Sequence, residues 1–106
     1  MSYTAKNAGA GLSGTGYTDI VSWTGTGTDV INYVGIHNTD TVEATVTVAF
    51  DFNGTVRIVA VETLQPNERF QCGPFNLVST GQKVKAKLAA TVTTNNLDAV
   101  AMYANQ

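Results

Sequence analysis

The sequence predicts an all-β protein, an antiparallel sandwich of jelly-roll or immunoglobulin-like type with about seven to eight strands. Three observations predict it. Apolar and polar residues alternate with period two through most of the chain, which is the side-chain repeat of a strand with one buried face. Clusters of Gly, Asn, Pro and Thr interrupt the alternation at short intervals, and no segment shows the 3.6-residue period of a helix. The composition fits as well: the 106 residues include 16 Thr, 13 Val and 10 Gly, with only 13% charged. A chain of this length has room for one domain.

Residues 1–16 read as a flexible arm preceding a sandwich domain over residues 17–106. The stretch from Ala5 through Leu12 to Gly16 is too rich in glycine to hold structure of its own. Its Gly9-Ala10-Gly11-Leu12-Ser13-Gly14 matches a dinucleotide fingerprint in spelling only, because that motif needs a strand in front of it. Tyr17 to Trp23 and Val30 to Ile36 are strands flanking the turn Thr24-Gly25-Thr26-Gly27. The second carries apolar residues on both faces, Val30, Val34 and Ile36 against Ile31 and Tyr33, as central or interface strands do.

Thr41 to Phe52 is the clearest strand, with Val42, Ala44, Val46, Val48, Phe50 and Phe52 inward. A strand over Thr55 to Leu64 follows Asn53-Gly54. Keeping apolar residues opposite one another requires a three-residue loop, which pairs Phe50 with Val56, Val48 with Ile58, Val46 with Ala60 and Val42 with Leu64. Glu68 to Cys72 is a short strand between the Pro66-Asn67 turn and Gly73-Pro74. Lys83 to Val92 alternates again, with Val84, Ala86, Leu88, Ala90 and Val92 inward. The last strand, Leu97 to Ala104, folds back on it through Asn95-Asn96. That hairpin would gather Ala89, Val100 and Met102 on an outer face, with Lys83, Lys85 and Lys87 at its rim. Such a face is expected to meet another copy or another protein.

Chemistry is sparse. One histidine, His37, and one cysteine, Cys72, cannot build a zinc site or a disulfide, so neither metal nor cofactor is expected. Nucleophilic catalysis would need Cys72 or a serine held by a base, whereas His37 falls beside Asn38-Thr39-Asp40 at a strand end and reads as a surface residue, and Glu43 and Glu62 are not expected to converge, so the chain reads as no enzyme. Asp51 and Arg57 are expected to form an exposed ion pair. Thr45 and Thr47 are too few for an ice-binding array. Six basic against eight acidic residues offer no nucleic-acid surface, and no apolar run is long enough to span a membrane. Nothing in the first 16 residues resembles a secretory signal, so synthesis in the cytoplasm is expected.

From Val30 to Tyr103 the order of features resembles the small β-sandwich virion proteins of tailed bacteriophages, the head decoration or cement type and related accessory proteins. The resemblance rests on Asn38-Thr39-Asp40 before a long Thr/Val strand, on Leu64-Gln65-Pro66-Asn67-Glu68, on Gly73-Pro74-Phe75-Asn76-Leu77, and on Ser79-Thr80-Gly81 before an alternating strand. The Gly-rich segment, with Ala5 and Leu12, resembles the arms such proteins lay over neighbours. The resemblance implies a virion structural protein, a homotrimer on the capsid surface that reinforces contacts between subunits of the major capsid protein. The alternatives are a tail or head-to-tail connector component and, in a different class, a carbohydrate-binding module using Trp23, Tyr17, Tyr33 and Tyr103.

Overall fold

The computed structural model describes residues 4–106, and the strands of that span form two antiparallel sheets packed face to face. In chain order they are β1 (Thr4–Leu12), β2 (Thr18–Ser22), β3 (Asp29–His37), β4 (Ala44–Phe52), β5 (Thr55–Leu64), β6 (Arg69–Cys72), β7 (Phe75–Leu77), β8 (Gln82–Leu88) and β9 (Leu97–Asn105). One sheet runs β1-β9-β3, with β6 and β7 sharing the far edge of β3; the other runs β2-β8-β4-β5. The expected all-β sandwich is therefore the fold. Between the sheets lie Ile31, Val34, Ile36, Leu97, Ala99 and Ala101 on one side and Val46, Val48, Phe50, Val84, Ala86 and Leu88 on the other. Apart from the step from Ile31 to Val34, these are the period-two positions of their strands.

Four local expectations give way to the observed pairing. The glycine-rich stretch is not an arm: residues 4–12 form β1, which pairs along its length with β9, Ala5 opposite Ala104 and Leu12 opposite Leu97. Leu12 is buried in the core. Small residues suit this strand because its neighbour contributes the bulk, and Gly9 and Gly11 lie opposite Val100 and Asp98. The sandwich thus begins before residue 17, and Met1 to Tyr3 lie outside the described residues.

In β3, a bulge between Ile31 and Tyr33 changes the phase of the strand, so Ile31, Val34 and Ile36 all face the core. A strand read as apolar on both faces is one buried face with an extra residue, Asn32, in it.

The expected β8–β9 hairpin does not form. β8 ends at Leu88 in one sheet, residues 89–96 cross over, and β9 begins in the other sheet. The crossover is held by Asp40, whose carboxylate accepts the backbone N–H groups of Thr93 (2.8 Å), Thr94 (2.8 Å) and Asn95 (3.1 Å) as well as that of Thr41 (2.8 Å). The next buried residue back, Asn38, fixes Asp40 in place by accepting its N–H on Oδ1 at 2.9 Å. Trp23 to Thr28 makes a similar corner between β2 and β3. There the buried Asp29 accepts the Thr24 N–H at 2.7 Å and the Asn105 amide at 2.9 Å.

The β4–β5 hairpin turns through two residues, not three. Asn53 and Gly54 have φ of 57° and 105°, the pair of positive values that a type I′ turn requires, and Phe52 lies opposite Thr55. The Asp51 carboxylate accepts the Gly54 N–H at 2.7 Å. The turn nests against Gly81, whose carbonyl accepts the Asn53 N–H at 3.2 Å. A Cβ on Gly81, at φ 80°, would overlap the Asn53 side chain down to its rigid Cβ. Gly81→Ala is therefore expected to cost about 1–3 kcal/mol in chemical denaturation, from backbone strain alone at the low end. A loss below the low end would show that the turn can move away at no cost.

Candidate functional site

The two-residue turn decides what β5 exposes. Residues opposite one another on antiparallel strands share a face. With Phe52 opposite Thr55, Phe50 meets Arg57, Ala49 meets Ile58 and Asp51 meets Val56. A bulge at Val59 then inserts one residue and restores the core phase, so Val48 meets Ala60 and Ala44 meets Leu64. Val56 and Ile58, which a three-residue loop would have buried, therefore point outward: Ile58 is 61% exposed, and Val59 and Val61, the latter 56% exposed, lie beside it. On the core-facing side the same strand carries Arg57 and Glu62, both exposed. The sheet opposite offers only the short strands β6 and β7 on that flank, so the outer half of the hairpin overhangs the sandwich. Phe52, stacked on Phe50 with ring centroids 4.2 Å apart, is exposed at the tip.

β5 is also a sheet edge. Its only strand partner among the described residues is β4, so ten residues of backbone present alternate N–H and C=O groups outward. Natural edge strands are usually short, charged, prolyl or covered, because an open apolar edge templates pairing with another chain. β5 has none of these protections beyond one arginine, one glutamate and its bulge.

The residues expected to form one interface are divided between the two faces of the sandwich. Val100 and Met102, 42% and 39% exposed, lie on the outer face of the β1-β9-β3 sheet. There Val100 sits between Gly9 and Gly35, and Met102 between Asn7 and Tyr33. Lys83, Lys85 and Lys87 lie on β8, on the outer face of the other sheet, because β8 and β9 are not a hairpin. They cannot rim a patch around Val100. Ala89 stands apart from both, in the crossover, its N–H donating to Thr45 O at 3.0 Å. Ala5 is exposed on an edge strand, and Leu12 is interior.

The lysines are engaged locally. Lys83 pairs with Asp19 at 3.1 Å, and Lys85 with Asp51 at 2.8 Å. Lys85 and Lys87 both lie over the Tyr17 ring, at 4.7 and 4.8 Å from its centroid. The Lys85 ammonium, helped by the Gly54 N–H, holds the Asp51 carboxyl below the usual carboxylate range. Arg57 is not the partner of Asp51, since the observed register puts it on the opposite face of the sheet.

A groove of about 310 Å³ crosses the outer face of the first sheet over Gly35. Tyr33, His37, Arg69, Gln71 and Asp98 line it, with Asp98 and Arg69 on the strands either side of His37. No serine, threonine or cysteine lines it. Cys72 is half-buried, and burial pushes its thiol up to about 11, leaving it protonated and unreactive near neutral pH. Among the described residues no group of three His, Cys, Asp or Glu side chains is placed to hold a metal, and no helix is long and apolar enough to cross a membrane.

The aromatic residues do not form a sugar-binding row either. Trp23 packs partly on the core and donates its indole N–H to Gly27 O at 3.0 Å. Tyr17 is covered by two lysines, Tyr103 packs against the core, and Tyr33 lies in the groove on the outer face of the other sheet. No family model matches the chain, and no curated protein matches it. The fold and surface define a class: an antiparallel β-sandwich with an uncovered apolar edge strand.

Proposed function

We propose that this chain is a non-enzymatic structural protein that works by packing against other protein subunits. More specifically, we propose a virion protein of the capsid decoration or cement type that stabilises contacts between major capsid subunits. The observation that carries the reading is β5. Its Val56, Ile58, Val59 and Val61 form a stripe of large apolar side chains exposed on a strand whose outer edge has no partner among the described residues. Exposed apolar stripes of this kind mark surfaces that are covered in use. A stiff sandwich bearing such a stripe suits a protein repeated many times on a particle, where many modest contacts add through multivalency. The capsid address is carried by the sequence resemblance in Asn38-Thr39-Asp40 and Leu64 to Glu68.

The test is electron microscopy of particles assembled with the wild-type chain, without it, and with an Ile58→Asp/Val61→Asp variant. Both side chains are exposed, so the variant should fold with wild-type stability to within about 0.5 kcal/mol. Surface density present with wild type, absent without the chain and reduced at least about tenfold in the variant is the expected result. Particles that look the same in all three preparations would overturn the assembly reading.

A further inference from the structure

The charged residues of β5 say what covers it. The strand carries one cation, Arg57, and one anion, Glu62, on the same side of the sheet, opposite Phe50 and Val46. Because Val59 is the extra residue of the bulge, Arg57 and Glu62 are each two paired positions from Ala60, in opposite directions along the strand. Ile58 and Val61 are each one position from Ala60, both on the outer side. The strand is therefore its own complement when reversed.

We propose that β5 pairs antiparallel with β5 of a second copy of this chain about a two-fold axis at Ala60, joining two four-stranded sheets into one continuous eight-stranded sheet. In this register Arg57 faces the partner's Glu62, Glu62 faces the partner's Arg57, and Ile58 packs beside the partner's Val61 on the outer face. Val56 meets the partner's Thr63. Every pair joins side chains on the same face, as antiparallel pairing demands, and the two bulged Val59 residues stay outside the ladder. Neighbouring two-fold registers lose this match: an axis at Ile58 sets Arg57 against Ala60, and one at Val61 does the same to Glu62. Opposite charges directly across an antiparallel pair stabilise it and like charges destabilise it, so the charges select the register while the apolar side chains and edge hydrogen bonds supply the association. The symmetry is isologous, the usual form of a homodimer. It departs from the trimer that the sequence resemblance implies.

The proposal deepens the assembly reading by naming a second copy as the occupant of the edge. The experiment needs only the purified full chain. Light scattering across a concentration series is expected to give a mass near twice 11.2 kDa. Arg57→Glu alone, or Glu62→Arg alone, sets like charges together twice across the axis and should raise the dissociation constant about tenfold or more. The double variant restores opposite charges in exchanged positions and should return the dissociation constant towards the wild-type value. Thermal melts check that each variant is folded, which exposure of both side chains favours. A wild-type mass of one or three copies, single reversals without effect, or folded double variants that stay dissociated would each overturn the two-fold pairing. A monomeric wild type whose β5 variants still fail to join particles overturns this pairing alone and leaves the assembly reading standing. A dimer that never joins particles does the reverse.

Discussion

Replacing Asn38 with Ala is expected to remove about 3–5 kcal/mol of stability, a large share of the roughly 5–15 kcal/mol available to a domain of this size. The side chain is fully buried and uses every polar atom it has. Its Nδ2 donates to Val42 O at 3.0 Å and to Leu64 O at 2.9 Å, and its Oδ1 accepts the Asp40 N–H at 2.9 Å. Its backbone joins the turn before β6, donating to Glu68 O at 2.9 Å and accepting the Asn67 N–H at 2.8 Å. Truncation strands the buried Leu64 carbonyl and Asp40 N–H together with the part-buried Val42 carbonyl, and each group left unsatisfied in the interior costs about 1–3 kcal/mol. Asn38→Asp should be no better, because it turns the amide that feeds Val42 and Leu64 into a third acceptor facing two carbonyls. Urea or guanidinium midpoints of both variants at neutral pH make the measurement. A loss under about 1 kcal/mol would show that the loop re-forms its bonds elsewhere.

The sequence shows what kind of residues pack and leaves open where phase changes. Alternation over Val46, Val48 and Phe50 and over Val84, Ala86 and Leu88 is read correctly as core, and these are strands with the expected inward faces. Strand exchange between sheets is what alternation cannot carry. Lys83 to Val92 and Leu97 to Ala104 look like a hairpin because both alternate, whereas the crossover between β8 and β9 depends on Asp40, about fifty residues upstream, capping Thr93, Thr94 and Asn95.

The exposed face of β5 was legible in a different way. Asn-Gly is the strongest short-range signal for a two-residue turn, and the adjacent apolar residues Ile58, Val59, Ala60 and Val61 are a break in alternation that a bulge explains. Assuming that every apolar residue belongs inside inverts that reading. A large exposed apolar residue is informative because it defeats the assumption. The low charge of the chain falls into place beside it. Two of the six cations are held by carboxylates and one more lies over a tyrosine, while the open strand keeps a single charge of each sign.

Acid is expected to unfold the protein earlier than its few carboxylates would suggest, and Asp40 is the reason. The Thr93 N–H, followed by those of Asn95, Thr41 and Thr94, holds its carboxyl far below the ordinary value of 3.8, against the opposing effect of burial. A group whose folded value is depressed binds its proton more readily in the unfolded chain. Its contribution is therefore fully present above the unfolded value and drains away as the pH falls from there towards the folded one. Asp51, depressed by Lys85 and the Gly54 N–H, adds to the loss in the same window. Urea midpoints followed from about pH 7 to about pH 2 should fall steeply below about pH 5 in the wild type. Asp40→Asn puts an amide in place of one oxygen that accepts backbone N–H groups, so it should be weaker already at neutral pH and flatter in acid. Asp51→Asn should flatten the profile less, since its carboxylate serves one ammonium and one N–H whereas Asp40 serves four backbone donors. An Asp40→Asn variant whose acid slope equals that of the wild type would mean that the crossover clamp is not what protonation breaks.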